Sequence, residues 1–127
     1  MYEKAITGLM LVVAVIHLLP ITGFFDVERL AALYKIDITD GNVEILMRHR
    51  AVLFGILGGF FAYAAFSPTV QPMAFLAAFV SVASFFYLSA SVGDFNDAIR
   101  KVVIADIVAS VALLAAIILY ALKSYRG

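Results

Sequence analysis

Four long apolar runs dominate the chain, at about Ala5–Thr22, Val43–Phe66, Thr69–Val92 and Ala98–Leu122. Their apolar residues are continuous rather than alternating, so they read as helices and not as barrel strands. Each is long enough to cross a hydrocarbon core of about 30 Å, which takes about 20 helical residues. A helix satisfies its backbone hydrogen bonds internally, as hydrocarbon requires. The pattern therefore predicts an all-α membrane protein with four transmembrane helices.

The polar positions between the runs set the connections. Ser67, Pro68 and Pro72 mark a short link between the second and third spans, and Gly93, Asp94, Asn96 and Asp97 mark another between the third and fourth. Short links make antiparallel neighbours, so an up-down-up-down bundle in a single domain, residues 1–127, is expected. Asn42 is the expected cap of the second helix, and Asn96 or Asp97 that of the fourth. The long connection is Gly23–Gly41. Within it Val27, Leu30, Ala31, Leu33 and Tyr34 recur at helical spacing, with Asp26, Glu28 and Arg29 opposite. It reads either as a short amphipathic helix in the headgroup zone or as a solvated loop over the bundle end. The first run lacks a small-x-small cleavage site, its exit reading Leu19-Pro20-Ile21-Thr22-Gly23, and is expected to be a retained span.

Composition narrows the function classes. Of the 127 residues 65% are hydrophobic and 14% charged, and the mean hydropathy is +1.05. A soluble domain of this length cannot bury so much apolar surface, which excludes a soluble enzyme. Nine Lys and Arg balance nine Asp and Glu, so no basic excess points to nucleic acid. With no Cys, disulfides, thiolate metal sites and cysteine nucleophiles are ruled out. Basic residues also set orientation. Lys4, Lys123 and Arg126 fall on one side, and Arg29, Lys35, Arg48, Arg50, Arg100 and Lys101 on the other. This predicts a cytoplasmic long loop and outward termini; without Arg48 and Arg50 the excess shrinks to one.

Small residues mark the expected seams. Ala51, Gly55, Gly58, Gly59 and Ala62 share an arc of the second helix, and Gly55 with Gly59 forms a GxxxG pair that lets backbones approach closely. Ala105, Ala109, Ala112 and Ala116 do the same on the fourth helix, and Ala74, Ala77, Ser81, Ser84 and Ser91 on the third. These faces are expected inside the bundle; Gly55 and Gly59 are the alternative homo-oligomer face.

Ionisable residues inside spans carry a penalty of roughly 2.5–3.5 kcal/mol each, so they are normally paired, buried or lining water. His17, Glu44, Arg48, His49 and Asp106 form the expected cluster, converging at the end of the bundle under the long connection. At about 100° per residue, Arg48 shares the glycine face with Glu44, and Arg50 points nearly opposite. Arg48 is thus expected inward, paired to Glu44 four residues before it or to Asp106 across the bundle. Arg50, with Arg100 and Lys101, is expected to reach lipid headgroups. Each member also has a structural reading: Arg48–Asp106 as an ion pair fixing register, and His17 as a core histidine bonding a carbonyl freed by Pro20. A metal would need an N₂O₂ set from His17, His49, Glu44 and Asp106. No paired-ligand spacing lies within one helix, so neither a metal nor a cofactor is expected.

The stretch Ile45–Gly58, ILMRHRAVLFGILG, together with His17-Leu-Leu-Pro20, Leu33-Tyr34 and Ala105-Asp-Ile-Val-Ala109, resembles a family of small bacterial integral membrane proteins of about this length. The resemblance covers the whole chain and implies a four-span, multi-pass protein of the bacterial inner membrane, with the Arg-His-Arg cluster as a shared feature. Some members carry the name phosphopantetheine adenylyltransferase. That chemistry uses an α/β nucleotide fold and a TxGH-type phosphate motif, and this sequence has neither.

Three functions are compatible with these features. A polar cluster in one leaflet suits binding of a lipid headgroup, a small amphiphile such as a quinone-like molecule, or a proton. A membrane enzyme on a lipidic substrate would use His49 or His17 as base, with Asp106 orienting it. An accessory subunit would use its small-residue faces for partners.

Overall fold

The computed structural model describes residues 2–126, with Thr22 and Arg126 in backbone only. Among the described residues there are five α-helices: α1 (Tyr2–Leu18), α2 (Val27–Tyr34), α3 (Gly41–Ala65), α4 (Gln71–Val92) and α5 (Asp97–Arg126). Four of them, α1, α3, α4 and α5, are long and apolar enough to cross a membrane, and they run alternately up and down. The chain is an all-helical, membrane-type bundle.

Local sequence explains where each helix stops. Pro20 has no N–H and disfavours α geometry in the residue before it. The α conformation accordingly ends at Leu18, and Leu19–Phe24 continues as a 3₁₀ segment. A second 3₁₀ turn, Pro68–Val70, leads into α4, which carries Pro72 in its first turn. Gly93 closes α4 at φ 76°, a left-handed conformation that glycine adopts without a Cβ penalty. Asp40, not Asn42, caps α3: its carboxylate accepts from the Asn42 amide at 2.8 Å. The helix starts two residues earlier than the apolar run because Gly41 and Asn42 are polar yet helical. Asn96 caps α5, its side-chain oxygen accepting from Ile99 N at 2.9 Å.

The long connection folds as an amphipathic helix rather than an open loop. Asp26 caps α2 through Glu28 N, and Lys35 ends it in a left-handed turn at φ 51°. Leu30 and Tyr34 are buried on its inner side. Leu30 presses on Gly23, where any Cβ would fall 2.3 Å from a leucine methyl.

α1 packs chiefly on α3 and α5, and α4 closes the ring from the far side against α5 and, to a lesser extent, α3. The tight part of the core lies toward the chain-termini end, where Ile6, Met10, Val13, Phe61, Ala64, Ala74 and Ala116 are buried. Large apolar side chains elsewhere face outward, as lipid solvation permits: Ile45, Leu46, Phe66, Tyr87 and Val92 are each about two-thirds exposed or more.

The glycine face of α3 has one tight neighbour. A Cβ on Gly58 would lie 2.5 Å from Leu18 Cγ and 3.1 Å from the Ala14 carbonyl oxygen, and one on Gly55 2.6 Å from Ile21 Cδ1. Gly59 meets nothing within 4 Å. The close-approach pair is therefore Gly55 and Gly58 against α1 and its 3₁₀ extension, not the Gly55–Gly59 repeat.

Candidate functional site

Arg50 and Asp106 define the site. Arg50 stands nine residues past the start of α3 at Gly41, and Asp106 nine past the start of α5 at Asp97. Both lie about 14 Å along their helices, and so at matching depth from the same end. They line one cavity of about 220 Å³ to which all five helices contribute, with His17 and Pro20 from the α1 end, Tyr34 from α2, Phe54 from α3, Ser81 and Phe85 from α4, and Lys101 from α5.

This reverses the expected roles of the two arginines. Arg50 points inward: one guanidinium nitrogen donates to the Tyr34 hydroxyl at 2.8 Å, and the group lies 4.5 Å from the Phe54 ring centroid and 5.4 Å from that of Tyr34. Such stacking suits a planar, weakly hydrated cation. Arg48 remains at the outer rim. It pairs with Glu44 at 3.3 Å with both side chains more than a third exposed, donates through Nε to the Phe24 carbonyl at 2.9 Å and lies over the Phe24 ring. Its role is to tie the 3₁₀ segment to α3. The cause is the tight seam of α1 with α3: Gly55 and Gly58 meet Ile21, Leu18 and Ala14 there, which leaves Arg50 and Phe54, on a neighbouring face of α3, to line the cavity.

The remaining predicted members divide accordingly. His17 is buried and satisfied. Its Nδ1 donates to the Val13 carbonyl at 2.9 Å, which leaves Nε2 to accept from the Ser81 hydroxyl at 2.9 Å. Its ring packs edge-on against Phe61, centroids 4.8 Å apart. The carbonyl freed by Pro20 is that of Ile16, four residues back, so the histidine bonds a different one. Asp106 lines the cavity, and its carboxylate has no hydrogen-bond or ion-pair partner among the described residues; it is not paired with Arg48. His49 is exposed and outside the cavity, as is Glu44. Among the described residues no His–Asp hydrogen bond forms, and no three His, Asp or Glu side chains gather as metal ligands. Arg100 is exposed, whereas Lys101 lines the cavity instead of facing only the headgroups.

A second space adjoins the first. A groove of about 580 Å³ runs between α3 and α4, lined by Leu53, Leu57, Val80, Ser84 and Leu88. Arg50, Phe54, Ser81 and Phe85 line both spaces, so the groove leads from the outer face of the bundle to the polar cavity. Toward the bundle end, α2 covers the cavity, tied down by the Tyr34–Arg50 bond and by Asn96 Nδ2, which donates to the Tyr34 and Lys35 carbonyls at 2.8 and 3.0 Å.

Sequence reasoning missed the contributions of Tyr34, Phe54 and Ser81 to the site. Spacing carried the signal for Phe54: Arg50, Phe54, Leu57 and Phe61 fall at i, i+4, i+7 and i+11, a single helical face. No local signal marks Ser81, which is one of several serines on α4. No protein-family model, curated protein or solved structure matches the chain.

Proposed function

We propose that this protein binds a small amphiphile from the bilayer, taking the polar head into the Arg50–Asp106 cavity and leaving the apolar tail in the α3–α4 groove. The observation that carries the reading is the continuity of a charged inner cavity with an apolar lateral groove through four shared lining residues. Ligand sites are usually about 300–1,000 Å³, mostly apolar with a few convergent polar groups; cavity and groove together meet that description. Ionisable residues at this depth in a membrane bundle generally mark pathways or binding sites. The resemblance noted in the sequence favours the bacterial inner membrane as the bilayer concerned. A histidine-based enzyme has less support, because both ring nitrogens of His17 are engaged and neither meets Asp106.

The test is the lipid that travels with the protein. Wild-type protein purified in mild detergent and extracted into organic solvent should yield a recurrent amphiphile by mass spectrometry. Arg50→Gln should lose most of it. Arg48→Ala, altering the rim but not the cavity, should keep it. Identical extracts from wild type and Arg50→Gln would refute the reading.

A further inference from the structure

The two half-buried charges on the cavity wall, Arg50 and Asp106, do not neutralise each other by contact. Arginine has five N–H donors, and Arg50 uses one, on Tyr34. The rest meet no protein acceptor among the described residues, and the Asp106 carboxylate meets no protein donor there. Arg50 and Asp106 do not approach to ion-pair distance. Isolated charges in hydrocarbon surroundings carry a large desolvation penalty, so the gap between them is a place for a group that accepts from one side and donates to the other.

Charge balance restricts that group. Lys101, also on the lining, is exposed and screened by water; the half-buried pair Arg50 and Asp106 sums to zero, and low dielectric penalises any net charge added between them. A phosphate monoester adds at least one negative charge. An ester or a quaternary ammonium has no proton for Asp106. A lone hydroxyl both donates and accepts, but through a single oxygen that must reach both residues. A carboxylic acid arriving as the neutral acid adds no charge and spreads its two roles over two oxygens: its carbonyl oxygen accepts from the planar guanidinium, and its O–H donates to Asp106, the two carboxyl groups sharing one proton. The small head chamber and the groove between only two helices suit a single chain.

Building on the amphiphile reading, we infer that the ligand class is a long-chain monocarboxylic acid, bound with its carboxyl bridging Arg50 and Asp106 and its chain lying along the α3–α4 groove. The chain would then pass Leu57, Val80 and Ala77, and the carboxyl would come to rest beneath Tyr34. No bond is made or broken.

The experiment uses the full chain in phosphatidylcholine nanodiscs with palmitic acid carrying a mid-chain diazirine, its methyl ester and the corresponding alcohol. After irradiation, labelled peptides are mapped by mass spectrometry. The acid should label the α3–α4 groove at least tenfold more than the ester or the alcohol, and unlabelled palmitic acid should compete. Arg50→Leu, which removes the cation that the acid carboxyl needs and the ester does not, should reduce acid labelling to the level of the ester. Leu57→Trp, which fills the groove without altering either charge, should abolish it. The comparison of three probes on wild type carries the test if either variant fails to fold. Equal groove labelling by acid and ester overturns the carboxyl assignment but leaves the amphiphile reading standing. Absence of groove labelling by all three overturns both.

Discussion

A methyl group added at Gly58 collides with Leu18 Cγ and sits tight against the backbone oxygen of Ala14, whereas one added at Gly59 meets open space. Neither the leucine branch point nor a backbone carbonyl moves cheaply, and overpacking a tight seam costs about 1–3 kcal/mol. Gly58→Ala is therefore expected to destabilise the bundle by about that amount in equilibrium unfolding from mild detergent. Gly59→Ala should stay within about 0.5 kcal/mol of wild type or stabilise slightly, since alanine is the better helix former. The reverse order would place α1 on the other glycine. The same seam explains why the site residues were only partly legible. His17 and Asp106 stood out as ionisable groups inside apolar runs, and both line the cavity. The arginine could not be assigned from the wheel alone. In water an amphipathic pattern says which side is outward, but in a bilayer the outer face is apolar as well. The angles separate Arg48 from Arg50 without saying which one looks inward. Only the identity of the close neighbour, α1, decides it.

At the scale of elements the four spans were legible to within a few residues, because hydrocarbon forces the backbone into uninterrupted helix and the apolar runs record its length. The helix ends were less so. The 3₁₀ continuation after Leu18 depends on Pro20, and the early start of α3 on Asp40, neither of which alters the apolar pattern. The period of α2 announced a helix, and its caps explain why eight residues hold together: a helix this short is marginal without tertiary support. Asn96 supplies part of that support while also capping α5, so the two roles can be separated. Asn96→Asp keeps an oxygen for Ile99 N, aspartate being as good a cap as asparagine, but has no N–H for the Tyr34 and Lys35 carbonyls. Asn96→Ala loses both. Hydrogen exchange should be faster in both variants at Ile36, whose amide donates to the Ala31 carbonyl at 3.1 Å where α2 ends, whereas Ile99 should lose protection only in the alanine variant, by a factor corresponding to about 1 kcal/mol. If Ile36 is unchanged in both, the tie between α2 and the α4–α5 link does not hold the lid.

The whole molecule is asymmetric along its length. Toward the chain termini the four long helices close on Met10, Phe61, Ala64, Ala74 and Ala116, all fully buried. Toward α2 they part around the cavity, whose walls include the small side chains Ala98 and Ala105 beside Asp106. A bundle selected for stability alone would fill such a gap, since atoms lining a void forgo van der Waals contacts. Sites kept open for a ligand commonly leave stability unrealised. Ala105→Leu tests this opposition in one chain. It places three more carbons against the cavity and alters no charged or hydrogen-bonding group. It should raise stability in detergent by up to about 1 kcal/mol and reduce the co-purifying amphiphile several-fold. A variant that is destabilised by more than about 1 kcal/mol would show the wall already packed. One that is stabilised but keeps its full complement of lipid would show that the ligand resides elsewhere. Stabilisation and loss of ligand together would mean that the open end is held open by what occupies it, which is how a binding protein differs from a membrane strut built on the same four helices.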